Sequence, residues 1–117
     1  MIDAQPEPFK NELLKGSLDL LLLTLLAQQP MYGYQIVKEV RQRSAQLLHL
    51  KEGSLYPALH RLEQSGLVES DWQTRPDGAS RRYYRLTTFG KAQLPQRRAA
   101  WDLFVQAMSG VLHHGEL

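Results

Sequence analysis

Between Lys51 and Val68, six side chains share a chemistry that an ordinary solvated helix lacks. Ser54, Tyr56, Pro57, His60, Arg61 and Gln64 are hydrogen-bonding or flat groups, not a Glu/Lys mixture. Hydroxyl, imidazole, guanidinium and carboxamide groups suit phosphate oxygens and base edges. Leu55, Leu59 and Leu62 run through the same stretch at i, i+4 and i+7, so a helix here buries three leucines and turns the polar set away from them. Gly66 supplies a left-handed stop, and Leu67-Val68 opens an extended segment. Ser54 is the better N-cap, because it leaves Pro57 in the first turn; Lys51 would be a poor cap and would set the proline too deep. The pattern predicts a nucleic-acid recognition helix, although an amphipathic surface helix would show the same leucines.

The elements around it supply the frame. Leu18, Leu20 to Leu23, Leu25 and Leu26 predict a first helix over about Ser17 to Gln28, apolar on nearly every side and therefore covered by more than one surface. Pro30 ends that run. Tyr32-Gly33-Tyr34 then leads into a second helix to about Ser44, with Ile36, Val37 and Val40 inward. Beyond Gly66, two runs rich in Val, Trp, Tyr and Leu flank Pro76-Asp77-Gly78, a turn sequence in which proline presets φ and glycine permits positive φ. In the resulting hairpin Arg82, Tyr84 and Leu86 share one face, and Arg81, Tyr83 and Arg85 the other. Arg75, Arg81 and Arg82 near Gly78 suit a phosphate or minor-groove contact.

Three helices and a hairpin make a winged helix-turn-helix, mainly α in an α+β fold, over residues 17–87. Residues 1–16, with Pro6 and Pro8, read as a flexible arm. Residues 88–117 read as a C-terminal dimerisation helix, in which Leu94, Trp101, Phe104, Val105, Met108, Val111 and Leu112 keep near-heptad spacing. Pro95 should kink or interrupt that helix near Lys91 to Leu94. With no later segment to cover the stripe, it is expected to pack on helix one, on its own copy, or on both. Leu20, Leu23, Leu94, Trp101, Phe104, Val105, Met108 and Leu112 are the candidate interface.

Composition narrows the alternatives. A chain of 117 residues with 43% apolar content has room for one small core. The absence of cysteine excludes disulfides, thiolate metal sites and cysteine nucleophiles. The run Leu18 to Ala27 carries Asp19 and is too short to span a membrane. His113, His114 and Glu116 crowd the C-terminus at poor metal spacing, and no phosphate loop or nucleophile elbow is present, so neither an enzyme nor a metal or organic cofactor is expected. The net charge is +2, yet Gln73 to Arg98 holds seven basic residues and one acid, leaving −4 for the rest. That asymmetry points to a localised anionic partner.

The chain resembles the PadR family of bacterial transcriptional regulators in Tyr32-Gly-Tyr-Gln-Ile36, Gly53 to Glu63, Gly66-Leu-Val68 and Arg82-Tyr-Tyr-Arg-Leu-Thr-Thr-Phe-Gly90, in that order. The resemblance implies a cytoplasmic homodimer, usually a repressor, joined through its C-terminal helices. Tyr34, Ser54, Tyr56 and Arg61 would contact double-stranded DNA, with the Arg81/Arg82 wing beside them. Lys51, Pro57, His60, Gln64, Arg75 and Gly78 complete the expected contact surface. The single last helix looks like that of the smaller members, in some of which planar aromatic ligands insert between interface tryptophans; Trp101 occupies a comparable position. A tryptophan in an apolar stripe is more often interface filling. A winged helix that binds protein without reading DNA is the competing expectation.

Overall fold

The computed structural model describes residues 17–114; the expected N-terminal arm lies outside them. Helix α1 (Leu18–Gln28) buries Leu18, Leu22, Leu23, Leu25 and Leu26, with Leu20 and Leu21 half-buried against the same core. Its leucines are thus enclosed largely within one chain. Strand β1 (Met31–Tyr32) follows, a two-residue element that the sequence reading took as a lead-in to the second helix. Helix α2 (Gly33–Arg43) buries Ile36 and Val40.

The turn after α2 is tightly bonded. Ala45 and Gln46 take φ of 53° and 72°, the Gln46 amide donates to the Arg41 carbonyl at 2.9 Å, and the Leu48 amide donates to Ser44 Oγ at 2.9 Å. Two non-glycine residues in the left-handed region are held there by these bonds.

Helix α3 (Glu52–Gln64) buries Leu55, Ala58, Leu59 and Leu62, as the leucine spacing required. Its start differs from expectation. Lys51, not Ser54, occupies the N-cap position with extended backbone, and its carbonyl accepts from the amides of both Ser54 and Leu55 at 2.9 Å. Pro57 therefore lies in the second turn, where it removes a bond to the Gly53 carbonyl. Both residues are exposed, so the loss falls on the outer side of the helix.

Strands β2 (Val68–Thr74) and β3 (Ser80–Leu86) form the hairpin, and β1 joins it antiparallel in the order β1-β3-β2. The tip closes with Gly78 at φ 88° and the Ala79 amide on Asp77 Oδ1 at 3.0 Å. Tyr84 and Leu86 face the core, confirming the alternation.

Helix α4 (Thr88–Leu112) is anchored at its start. Thr87 Oγ1 accepts from the Gly90 amide at 2.9 Å and donates to the Gly66 carbonyl at 2.6 Å, while the Thr87 amide donates to the Leu67 carbonyl at 3.1 Å. The helix runs without a break through Pro95, so of the two expected consequences, a kink or an interruption, the interruption does not occur. Gly90 and Leu94 pack on the core, and every residue from Pro95 to His114 is exposed.

Candidate nucleic-acid interface

Helical geometry sorts the side chains of α3 into three strips. At roughly 100° per residue, Pro57, His60 and Gln64 stand most nearly opposite the buried leucines. All three are exposed, and His60 Nε2 lies 3.3 Å from Gln64 Nε2, one turn apart. Arg61 and Ser54 fall on one flank, whereas Tyr56 and Glu63 fall on the other. Arg61 lies at the α1 edge of the face opposite Leu55, Leu59 and Leu62, nearly as far round from the leucines as His60 is on the other side; its side chain leans toward α1, and its Nη2 meets Asp19 Oδ1 at 2.7 Å.

On the other flank, Tyr56 lies against Gly33 at the start of α2, so closely that a Cβ at Gly33 would overlap the phenol ring. That contact explains the glycine between Tyr32 and Tyr34. Tyr34 follows it on the first turn of α2 and is 68% exposed. Beside it an open groove of about 410 Å³ is walled by Tyr32, Tyr34, Tyr83, Lys38 and Gln42. Lys51, at the N-terminus of α3, is exposed as well.

The wing is less cationic than its sequence suggests. Arg82 Nη2 pairs with Glu63 Oε1 at 3.2 Å, its Nε donates to Ser70 Oγ at 2.8 Å, and Ser70 in turn donates to Glu63 Oε2 at 2.8 Å. Arg82 therefore ties the wing to α3, instead of standing free beside it. Arg85 is held by Asp71 at 2.8 Å and Glu69 at 3.1 Å, and these contacts, the Asp71 hydrogen bond foremost, raise its pKa further. Arg75 lies 3.9 Å from Asp77. Glu63, Glu69 and Asp71 precede the basic block in sequence, but the antiparallel register, with Glu69 opposite Arg85, folds Glu69 and Asp71 back onto it, and α3 carries Glu63 against Arg82. Arg81 alone of the wing arginines has no acidic partner among the described residues; its guanidinium sits 4.4 Å from the Tyr32 ring centroid.

Sequence reasoning passed over Trp72. It pairs in register with Arg82, on the sheet face turned toward α3, and is 67% exposed. Strict strand alternation could have placed it there.

The apolar stripe of α4 divides differently from expectation. Leu23 is fully enclosed and Leu94 nearly so in the chain's own core, which leaves neither with surface for a second chain. Leu20 is half-buried against the same core. Trp101, Phe104, Val105, Met108 and Leu112 are exposed, with the Trp101 and Phe104 rings 5.9 Å apart.

Among the described residues, no cluster of three or more His, Asp or Glu could hold a metal ion, and no helix is long and apolar enough to cross a membrane. What these elements define is a winged helix-turn-helix DNA-binding protein: a helix pair that presents α3, a wing tied to its flank, and an appended helix. The comparison with known proteins agrees. Residues 22–96 match the transcriptional regulator PadR-like family, and the chain belongs to it. It is 34% identical to a transcriptional regulator of Mycobacterium tuberculosis over 88% of this chain and 94% of that one. A PadR family regulator of Clostridium difficile is 37% identical, with 83% of this chain and 99% of that one aligned at a TM-score of 0.72. A regulator from Clostridium thermocellum is 32% identical, with 84% and 95% aligned at 0.77. The chain is accordingly a DNA-binding transcriptional regulator and not an enzyme, which favours DNA over the protein-binding alternative.

Proposed function

We propose that the protein is a cytoplasmic homodimeric repressor that places α3 in the major groove of an inverted-repeat operator. The observation that carries this reading is a pairing of surfaces: an exposed polar strip on α3, and an apolar stripe on α4 that its own chain leaves uncovered. In this arrangement Pro57, His60 and Gln64 meet base edges. Tyr34, Lys51, Ser54, Tyr56, Arg61 and Arg81 meet the backbone, and Arg75 and Gly78 approach a flanking minor groove. Arg82 acts behind them by fixing the wing.

Trp101, Phe104, Val105, Met108 and Leu112 supply the seam between two copies, with Leu20 at its margin. Trp101 and Phe104 also offer a stacking surface for a planar aromatic effector, which alters DNA affinity only by binding the two states of the dimer unequally.

Footprinting on a duplex enriched from a random library tests the proposal. Two protected half-sites about one helical turn apart, or a multiple of that, are expected; one unrepeated half-site overturns the symmetric arrangement. Sedimentation tests the seam, since Trp101→Glu sets an unpaired charge in an apolar contact and should release monomers. A dimer unaffected by that change places the interface elsewhere.

A further inference from the structure

We infer that Asp19 on α1 is the positioning residue for Arg61 on α3. The inference rests on the DNA reading above and adds a residue outside the helix-turn-helix and wing. Arg61 has a long, mobile side chain on the flank of α3, with 58% of it exposed, and a guanidinium so placed would ordinarily sample many rotamers. Here one terminal nitrogen is fixed by a 2.7 Å bond to a carboxylate 42 residues away, on the helix that packs against α3 across the core. Asp19 is itself 32% exposed and sits in the first turn of α1. The contact engages only Nη2 of Arg61 among the described residues. The fork carries five N–H donors, so the remaining edge can meet a backbone phosphate while Asp19 holds the other. Orienting the fork before DNA arrives removes part of the ordering cost that binding would otherwise carry.

The sign of the effect separates this role from simple charge. A carboxylate near DNA that does nothing else repels the phosphates, so its removal should tighten binding. A positioning carboxylate has the opposite consequence: its removal frees the guanidinium and weakens binding although the protein has become more positive. An exposed pair contributes little to stability, so the variants should remain folded.

The test measures affinity of the full-length protein for a library-enriched duplex and for a random-sequence duplex, across a salt series. Asp19→Ala should weaken the enriched duplex by about threefold to tenfold, in the range of coupled neighbouring residues. Asp19→Glu should restore much of the loss. Arg61→Ala should lower the salt slope by about 0.9, one phosphate contact, and adding Asp19→Ala to it should cost nothing further. Unchanged or tighter binding by Asp19→Ala, or additive losses in the double variant, would overturn the inference while leaving the DNA reading intact. Failure of the unaltered protein to bind any duplex would overturn both.

Discussion

Gly90→Ala and Gly110→Ala make the same chemical change in the same helix, and they should move stability in opposite directions. An alanine within a helix gains up to about 1 kcal/mol over glycine, because less backbone entropy is lost. At Gly110 nothing lies within 4 Å of the added methyl, so the gain should appear, reduced by fraying near the helix end. At Gly90 the methyl would collide with the Leu67 carbonyl, and that oxygen also accepts the Thr87 amide. Relief requires the first turn of α4 to move off Leu67, just before β2, straining the Thr87 bonds to Leu67 and to the Gly90 amide. Overpacking against a rigid backbone costs about 1–3 kcal/mol, and the two hydrogen bonds, stretched but not broken, each lose roughly a few tenths of their about 0.5–1.5 kcal/mol. Set against the propensity gain, Gly90→Ala should lose about 1–3 kcal/mol. For a domain of this size the loss lowers the Tm by about 5–15 °C, whereas Gly110→Ala raises it by a few degrees. Thermal unfolding followed by circular dichroism, at one protein concentration, measures both. A Gly90→Ala variant as stable as Gly110→Ala would refute the close approach of α4 to Leu67.

Gly33→Ala displaces Tyr56, whose ring is half-exposed and free to swing aside, so duplex affinity should fall several-fold with little change in Tm; intact binding would mean that Tyr56 makes no contact. Arg81→Ala should reduce the salt slope of duplex binding by about one phosphate contact, whereas Arg82→Ala should leave the slope unchanged because Glu63 already neutralises that arginine. Equal slopes for the two variants would contradict the division of the wing. Burial raises the pKa of Tyr84 above its usual value near 10, with Arg82 pulling it partly back. The folded state thus holds that proton more tightly than the unfolded chain, and the resulting stability is present below pH 10 and lost as pH rises through the folded value. Denaturant unfolding above pH 10 should show a decline that Tyr84→Phe largely removes.

Local pattern alone determined much of this protein. The leucine spacing of α3, the Pro-Asp-Gly turn and the alternation that turns Tyr84 and Leu86 inward are set by residues within a turn or two of one another, and their geometry repeats wherever such patterns occur. The polar character of α3 and the apolar stripe on α4 were legible for the same reason. Tertiary structure decided what long-range contact alone can decide. Two-residue β1 has too little pattern to announce itself and exists because β3 offers an edge. Lys51 begins α3 in place of Ser54, so that Pro57 lies a turn deeper than the cap preference suggested. The wing's charge balance changed because Glu63, Glu69 and Asp71 meet arginines 14 to 19 residues further along the chain. Asp19 reaches Arg61 across 42 residues, and Gly33 is shaped by Tyr56. Sequence periodicity states which face of an element is apolar; which charged or aromatic group waits on the neighbouring element depends on how the elements pack around a shared core.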